Sequence, residues 1–406
     1  MTKEELQIQS LSLIKQSNRI ALQWATGLGK SKAAIEMANY LIKEYKRPIN
    51  ILLVVAEIAH KSNWKEEFNK WELKTDNIVI ECYASLKKYR NSNWDLIIFD
   101  EAHHLGSDLR LDVLTGIQAQ NIILLSATLP DQVMQAVSEV FGKFVTSKIT
   151  LKEAIEWGIL PQPKVYLIPL TLDNTYPNCT IIEEWGKKEK RIIYKCKFHE
   201  RWEYVRNKNK YPNVKLEIAC TQQQKYDYLS DQFEYWRSQF FKTRQEFVKN
   251  KWLQVGSKRK RFLGESKTDI VRLLLHKIRD KRFICFCTSI EQAELLGGKN
   301  AIHSKKDNSF DIIDNFNTKK IDNLFAVGML QEGQNLTDIE VGIIVQLDGQ
   351  ERAFVQKFGR SLRATDPIQF IFYYKNTRDT EYLENVLEGI DKEYITEVDN
   401  LIDLEL

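Results

Sequence analysis

The sequence predicts an α/β protein with two parallel-sheet domains in tandem and a smaller inserted segment of hairpin and helix between them. Three observations indicate this class. Near the start, a short apolar strand is followed by a glycine-rich turn and a helical pattern. Two further apolar strands in the first half end in polar residues. In the second half, apolar strands again alternate with helical segments, as in parallel sheets.

The composition bounds the class of protein. A chain of 406 residues is long enough for two or three domains with buried cores, and 43% hydrophobic and 28% charged residues are ordinary values for a globular protein. The apolar runs fall short of the roughly 20 residues that a membrane-spanning helix needs, and the amino terminus lacks a signal-peptide pattern. Six cysteines without a disulfide framework favour a reducing compartment. We therefore expect a cytoplasmic protein without membrane contact.

The charge is distributed unevenly along the chain. The net charge of +4 does not by itself predict a nucleic-acid partner, but residues 187–210 contain ten Lys or Arg against three Glu. Aromatic residues interleave with these cations, a combination that provides phosphate contacts and stacking platforms for single strands and branched junctions. The nucleic-acid-binding candidates here are Lys195, Lys197 and Arg201. A solvated basic surface explains the same pattern equally well.

The stretch QWATGLGKSKAAIE lies between the predicted strand 19–23 and a helix. A turn of this kind presents backbone N–H groups and a helix N-terminus to phosphate oxygens, while its lysine reaches the β- and γ-phosphates and its serine binds Mg²⁺. Trp24, however, stands where the general phosphate-loop pattern has its first glycine, and a strand, turn and helix with a surface lysine is the alternative. The expected nucleotide contacts come from Thr26, Gly27, Leu28, Gly29, Lys30 and Ser31.

Two later strands end in candidate catalytic residues. The apolar strand 96–99 is followed directly by Asp100 and Glu101. An acid at the carboxyl end of a buried strand is where an α/β sheet presents a Mg²⁺ ligand, and its neighbour can orient and deprotonate the attacking water. Alternatively, the two acids could cap the next helix. The strand in NIILLSATLP ends in Ser126, Ala127 and Thr128.

Together these stretches resemble superfamily 2 helicases and translocases, in which motif I is commonly A-T-G-x-G-K-S/T, motif II is D-E-x-H and motif III is S-A-T. Members often lack the first glycine of the general loop. The resemblance implies two RecA-like domains that use ATP and Mg²⁺, with Asp100 holding the metal and Glu101 acting as base. It also implies that His103, Ser126 and Thr128 couple nucleotide-cleft closure to nucleic-acid grip.

Other parts of the first half fit this resemblance. The segment ILLVVAEIAHKSNWKEEFNKW is similar to the motif Ia region, and VIECYASLKKY is similar to the stretch before motif II that lies along the nucleic acid. The resemblance implies phosphate contacts from Lys61, Lys87 and Lys88, although solvated helix faces are the commoner place for lysine. The adenine-reading glutamine of the family corresponds to Gln7 or Gln9, which spacing does not separate.

The stretch VQKFGRSLRA in the second half resembles motif VI, Q-x-x-G-R-x-x-R. Helical spacing puts Arg360 and Arg363 on one face. The resemblance implies that these arginines, with Gln356, act on the γ-phosphate from the second domain. Weaker nucleotide-contact candidates are Gly333 and Asn335, in the turn of QEGQN.

The predicted domains are a RecA-like domain with motifs I, Ia, II and III at 1–170, an insertion at 171–261, and a RecA-like domain with motifs IV to VI at 262–406. Within the insertion, RIIYKCKFHERWEYV reads as a strand that pairs with NCTIIEEW in a hairpin. A long amphipathic helix with an aromatic stripe follows, and its spacing predicts packing.

The resemblance implies a nucleic-acid-stimulated ATPase with a DEAH-like motif II. Its spellings are most similar to restriction-enzyme motors, XPB-type proteins and phage repair helicases. Our first hypothesis is a monomeric DNA helicase or translocase acting on single-stranded, duplex or forked DNA. An RNA helicase is the second hypothesis, and a nucleotide-gated clamp with little turnover is the third. The compact size is compatible with a phage protein in a host cytoplasm.

Overall fold

The first sheet positions the motifs of the amino-terminal half. The computed structural model describes residues 1–106, 112–328, 336, 338–347, 366–387 and 390–404. The first sheet contains six strands, all parallel, in the order β3-β2-β4-β5-β1-β6. These strands are β1 (Arg19–Trp24), β2 (Ile51–Val55), β3 (Ile78–Cys82), β4 (Asn93–Asp100), β5 (Gln118–Ser126) and β6 (Val145–Ile149). The described helices of this part are α1 (Lys3–Gln16), α2 (Lys30–Tyr45), α3 (Ala59–Lys70), α4 (Asp131–Phe141) and α5 (Leu151–Glu156).

The central strands of this sheet are apolar on both faces because hydrophobic clusters cover both. In β2, Leu53 belongs to one buried cluster and Leu52 to the other. This explains why β2 reads as an uninterrupted apolar run, as expected for a buried parallel strand. None of the helices in the described ranges is long and apolar enough to cross a membrane.

The strand β7 (Lys164–Leu170) follows the strands of the first sheet along the chain. It pairs in parallel with a strand of the second sheet. We expected the first domain to extend to residue 170, yet this strand is built into the second sheet. The pairing runs over seven residues, and it buries Val165 and Ile168 on opposite faces of that sheet. Sequence pattern alone carries no information about which sheet a strand joins.

The insertion contains a three-stranded sheet and three helices. The strands are β8 (Cys179–Trp185), β9 (Ile192–Lys197) and β10 (Val214–Cys220), and the helices are α6 (Arg201–Arg206), α7 (Gln222–Thr243) and α8 (Glu246–Glu265). The predicted hairpin between β8 and β9 is wrong, since β10 lies between them, antiparallel to β8 and parallel to β9. The reason is burial: β10 alone buries four side chains, Val214, Leu216, Ile218 and Cys220, and therefore takes the central position.

The predicted long amphipathic helix is two helices, because α7 ends at Thr243 and α8 begins at Glu246, and part of its aromatic stripe packs between them. On α7, the rings of Phe233 and Phe240 lie 5.8 and 5.7 Å from the ring of Trp252 on α8, measured between centroids. The guanidinium of Arg259 covers Phe233 at 4.2 Å. Helices α7 and α8 thus hold each other through aromatic contacts.

The second sheet contains seven strands, all parallel, in the order β12-β13-β11-β14-β15-β7-β16. The new strands are β11 (Phe283–Phe286), β12 (Ala301–His303), β13 (Asn323–Val327), β14 (Val341–Ile344), β15 (Ile368–Tyr374) and β16 (Ile395–Glu397). The described helices around it are α9 (Thr268–Lys277), α10 (Ile290–Gly297), α11 (Ser309–Asn317) and α12 (Arg378–Leu387).

A buried ion pair ties this second domain together. The Lys267 ammonium donates to Asp379 Oδ2 at 2.7 Å, to Gln346 Oε1 at 2.8 Å and to the Phe372 carbonyl at 3.0 Å. Neither charged side chain is exposed, and burial lowers the pKa of Lys267. Asp379 also accepts from the Tyr374 N–H at 3.1 Å. The pair links the starts of α9 and α12 to β15, and every donor of the ammonium has an acceptor.

We predict that Lys267→Met destabilises the second domain by about 3–5 kcal/mol, because it leaves the Asp379 carboxylate buried without its cation. Chemical denaturation followed by circular dichroism measures this. The matched control is Lys320→Met at an exposed position, which should change stability by less than about 0.5 kcal/mol. The double variant Lys267→Met/Asp379→Leu should recover part of the loss. Equal midpoints for Lys267→Met and wild type would contradict this role.

Candidate nucleotide site

The carboxyl edge of the first sheet brings the predicted motifs of the first half together. Strands β4, β5 and β1 are neighbours in that order. Asp100 ends β4 and Glu101 follows it, Ser126 ends β5, and the glycine-rich turn follows β1. Because all strands are parallel, their carboxyl ends share one edge, where α/β sheets bind ligands.

The glycine-rich turn has the backbone that a phosphate loop requires. Gly27 and Gly29 have left-handed φ values of 94° and 84°, which favour glycine. Helix α2 begins at Lys30, and the residue before it, Gly29, provides no side-chain cap for the first N–H groups. Trp24 is buried at the end of β1, and its Nε1 donates to Ser147 Oγ at 2.9 Å. Trp24, which replaces the first glycine of the general pattern, is therefore a packing residue.

Gln7 of α1 lies against this turn. Its Nε2 donates to the carbonyls of Leu28 at 3.5 Å and Gly29 at 3.3 Å, and a Cβ added at Gly29 would lie only 2.8 Å from that nitrogen. Gln7 Oε1 is buried without a hydrogen-bond partner among the described residues. Gln9 is exposed on the same helix. The structure thus brings Gln7 to the loop and leaves Gln9 in solvent.

The Lys30 ammonium lies over the turn, where it donates to the Trp24 carbonyl at 2.9 Å. It also acts on Asp100, whose pKa its positive charge helps to lower against larger opposing effects. Lys30 therefore lies between the turn and the acids. Ser31 and Thr26 are at the half-exposed surface of the same turn.

The carboxyl group of Asp100 has a raised pKa. Burial raises its pKa to about 6, the neighbouring Glu101 charge acts in the same direction, and a hydrogen bond from Trp64 opposes both. Trp64 Nε1 donates to Asp100 Oδ2 at 2.7 Å, and the Glu101 N–H donates to Oδ1 at 3.1 Å. A hard divalent cation prefers carboxylate oxygens, and its charge would favour the ionised form. The donor set therefore fits Mg²⁺.

Glu101 has a left-handed backbone, with φ 49° and ψ 53°, although it is not a glycine. Such a conformation costs on the order of 1–3 kcal/mol and persists where the surroundings impose it. With this backbone, Glu101 does not continue the extended conformation of β4. Its Oε2 lies 3.4 Å from His103 Nδ1.

His103 connects the acid pair to the end of β5. Its Nδ1 lies 3.1 Å from Ser126 Oγ, and that hydroxyl donates to the Thr128 carbonyl at 2.6 Å. His103 and Ser126 are both buried, and Thr128 Oγ1 is buried without a hydrogen-bond partner in the described part of the chain. The three residues expected to couple the site are thus one contiguous chain of contacts.

Sequence reasoning did not assign Trp64, Tyr83 or His60 to this site. The Tyr83 hydroxyl donates to the Asp100 carbonyl at 2.8 Å. His60 is buried, neither of its ring nitrogens has a hydrogen-bond partner among the described residues, and it lies near enough to help lower the pKa of Asp100. The available signal was topological: all three follow β2 or β3, which end at the same edge as β4.

Two of the three lysines expected to contact nucleic acid in the first half share an acid. Lys61 Nζ lies 2.7 Å from Glu81 Oε1, and Lys88 Nζ lies 3.4 Å from Glu81 Oε2. The hydrogen bond from Lys61 is the largest of the effects that lower the pKa of Glu81 to about 2. Lys87 is exposed beside them. The structure therefore groups Lys61, Lys87 and Lys88 at the β2 and β3 end of the edge.

The basic residues chosen in the insertion separate into two places. Lys195 and Lys197 are exposed on β9, and Lys195 Nζ lies 3.9 Å from Glu217 Oε2. Arg201 instead lies across aromatic rings, 4.3 Å from the Phe198 ring centroid. The five second-half candidates, Gly333, Asn335, Gln356, Arg360 and Arg363, lie outside the described residues.

Two family models match the chain. Residues 2–93 match the one described as "Type III restriction enzyme, res subunit", and residues 266–365 match the "Helicase conserved C-terminal domain". The first range includes the glycine-rich turn and Trp64, and the second includes the VQKFGRSLRA stretch. Among curated proteins, no sequence matches the chain.

Solved structures share the fold. A variant of S. cerevisiae Dbp5 bound to RNA and ADP BeF3 is 12% identical with a TM-score of 0.58, covering 97% of this chain and 89% of that one. The ATP-dependent Type ISP restriction-modification enzyme LlaBIII bound to DNA is 12% identical with a TM-score of 0.55, covering 98% of this chain and 31% of that one. The two tandem RecA-like domains expected from the sequence are thereby confirmed.

We predict that Asp100→Asn stabilises the protein without metal. Since the folded-state pKa of Asp100 is about 6 and its ordinary value is 3.8, the folded protein holds the extra proton between these values, and stability falls as pH rises through them. At pH 7.5 the variant should be more stable by on the order of 1–2 kcal/mol. Chemical denaturation in EDTA at pH 7.5 and pH 4.5 measures the difference.

The advantage of Asp100→Asn should shrink at the lower pH, where the wild-type carboxyl is protonated in the folded state. Asp76→Asn, at an exposed position of the same sheet domain, is the matched control and should follow wild type at both pH values. An Asp100→Asn variant that follows wild type at both pH values would contradict the burial cost inferred for this carboxylate.

Proposed function

As a superfamily 2 helicase, the chain is an ATPase that acts on nucleic acid, and we propose that it is a DNA helicase or translocase. The observation that carries this proposal is the meeting of the glycine-rich turn, the Asp100 and Glu101 acids, and Ser126 at one sheet edge. Support for DNA comes from the match to a restriction-enzyme subunit, and motif II is spelled D-E-A-H, less like the D-E-A-D box type.

The phosphates of ATP would lie over the turn that follows β1. In the proposal, backbone N–H groups of Thr26 to Ser31 and the start of α2 hold the phosphate oxygens. Lys30 exchanges its bond to the Trp24 carbonyl for the β- and γ-phosphates. Ser31 and Asp100 would hold Mg²⁺, and the bound cation would supply positive charge beside the transferred phosphoryl group.

Glu101 is the proposed general base. It accepts a proton from the water that attacks the γ-phosphate in line with the leaving oxygen. His103 Nδ1 lies 3.4 Å from the Glu101 carboxylate and would orient it. Through its contact with Ser126, His103 would also couple the carboxylate to Ser126 and Thr128. This chain of contacts is our proposed route from hydrolysis to nucleic-acid grip, for which Lys61, Lys87 and Lys88 supply phosphate contacts.

The second domain completes the proposed cleft. Arg360 and Arg363 stabilise the charge of the transition state, an effect typically worth about 10³–10⁵ in rate, and Gln356 orders the water or phosphate beside them. Gly333 and Asn335 contribute contacts to the nucleotide. We further propose that the protein works as a monomer, with closure and opening of the two domains moving it along a strand.

Gln7 is proposed to read the adenine base. Its amide nitrogen is engaged by the loop carbonyls, which leaves Oε1 to accept from the adenine amino group. Guanine presents a carbonyl at that position and would repel the same oxygen. We therefore assign the adenine-reading role to Gln7 rather than to the exposed Gln9.

The test of the function is ATP hydrolysis by the full chain with single-stranded DNA, duplex DNA, forked DNA and RNA. We expect DNA to stimulate the wild type and Glu101→Gln to hydrolyse ATP about 10²–10⁴ times more slowly, because it lacks the base. Glu44→Gln, at the exposed far end of α2, is the matched control and should retain wild-type rates. Equal hydrolysis rates with and without every nucleic acid would contradict the proposed motor function. Stimulation by RNA alone would contradict the DNA assignment and favour an RNA helicase.

We expect Gln7→Ala to reduce the preference for ATP over GTP by about 5–30-fold in kcat/KM, since one buried hydrogen bond to the base is removed. Gln9→Ala is the control on the same helix and should keep the wild-type preference. Steady-state hydrolysis of both nucleotides measures the ratio. A Gln7→Ala variant that loses ATP and GTP activity equally would show that Gln7 supports only the loop.

A further inference from the structure

The insertion holds the positive charge of the whole protein. Residues 171–261 contain 21 Lys or Arg against 11 Asp or Glu, a net charge of +10. The remainder of the chain has 38 basic and 44 acidic residues, a net charge of −6. A polyanion approaching the protein is therefore drawn first to the insertion.

A groove of about 780 Å³ lies within the insertion, between β8 and α6 on one side and α7 and α8 on the other. Three tryptophans and four cations line it. They include Trp185, Trp202, Trp236, Arg201, Lys208 and Lys258.

The acids that also line this groove are engaged by neighbours or lie at its exposed wall. Glu184 accepts a hydrogen bond from Arg191, and Glu183 accepts one from the Tyr228 hydroxyl, which helps to raise the pKa of Tyr228 after burial. Asp231 is exposed. Four cations line the groove against three carboxylates, and Arg191 from outside the lining pairs with one of these, so the local charge is positive.

The tryptophan rings are held in place beside cations. Trp185 Nε1 donates to the Tyr211 carbonyl at 2.7 Å, and Lys208 Nζ lies 5.3 Å from the centroid of a Trp185 ring. The guanidinium groups of Arg201 and Arg206 lie 4.6 and 5.5 Å from a ring centroid of Trp202, which nevertheless remains 46% exposed. Flat rings held rigidly next to positive charge are the two elements that single strands require.

We propose that this groove binds single-stranded nucleic acid, with bases stacked on Trp202 and Trp236 and the backbone phosphates against Lys208 and Lys258. Charge complementarity and the aromatic platforms favour this occupant, since an acidic peptide would use the cations but not the rings. This site is separate from the sheet edge that holds the nucleotide motifs. It goes beyond the proposed motor and requires no hydrolysis.

The experiment measures binding of a fluorescein-labelled oligo(dT) of about 20 nucleotides to the full chain by anisotropy, without nucleotide. Trp202→Ala should weaken binding by about tenfold, within the range typical for removal of one stacking platform. Phe310→Ala is the matched control, because that ring is 52% exposed on α11 and far from the insertion in sequence. Trp202→Phe should restore most of the affinity, since it retains a ring.

The double variant Lys208→Ala/Lys258→Ala tests the phosphate contacts. It should weaken binding and reduce the slope of log affinity against log salt by roughly 0.7 for each phosphate that no longer has a lysine beside it. Circular dichroism of every variant shows whether the fold is kept. The same titration with oligo(U) identifies which sugar the groove prefers, and tighter binding of either oligonucleotide that depends on Trp202 supports the proposal.

The proposal is overturned if Trp202→Ala, folded as the wild type, binds oligo(dT) with wild-type affinity, or if Phe310→Ala weakens binding as much. Unchanged oligo(dT) affinity of Trp202→Ala together with DNA-stimulated ATP hydrolysis would contradict the groove proposal and leave the proposed motor function standing. Weakened binding by Trp202→Ala in a protein whose hydrolysis ignores nucleic acid would do the reverse.

Discussion

The candidate site depends on keeping the Asp100 carboxyl group buried beside a second acid. Burial and the Glu101 charge raise the pKa of Asp100 to about 6, and the Trp64 hydrogen bond compensates only in part. This arrangement costs stability, as the left-handed backbone of Glu101 also does. A cation at this edge would remove the repulsion between the two carboxylates. The free energy released in this way would favour binding of the metal and its nucleotide. Such a cost is typical of functional sites.

The chain separates its charges between the sheet domains and the insertion. The insertion carries a net charge of +10, and the rest of the chain carries −6. Both family-model matches, at residues 2–93 and 266–365, fall outside the insertion. In our proposals, nucleotide chemistry belongs to the sheet edge, and attraction of a polyanion belongs to the insertion. Such separation lets the insertion set affinity without disturbing the pKa values at the nucleotide edge.

Sequence reasoning predicted the strands and turns that local patterns encode. It missed the strand pairings and side-chain contacts that depend on the tertiary structure. Apolar runs predicted both parallel sheets, and the glycines of the turn adopt the left-handed backbone expected of a phosphate loop. The hairpin prediction was wrong because period-2 alternation identifies a strand but not its partner. The expected first domain, 1–170, included β7, which pairs with β15 of the second sheet. Trp64 was missed because its partner, Asp100, lies 36 residues away along the chain. Gln7 and Gln9 became distinguishable only through burial.

The most direct test of the central claim is calorimetric titration of the full chain with a non-hydrolysable ATP analogue, in Mg²⁺ and in EDTA. We predict that Mg²⁺ tightens binding by about tenfold or more in the wild type, because the cation joins the phosphates to Asp100. In Asp100→Asn this gain should largely disappear. Equal affinity with and without Mg²⁺ in the wild type, or an undiminished gain in Asp100→Asn, would contradict the role assigned to this carboxylate.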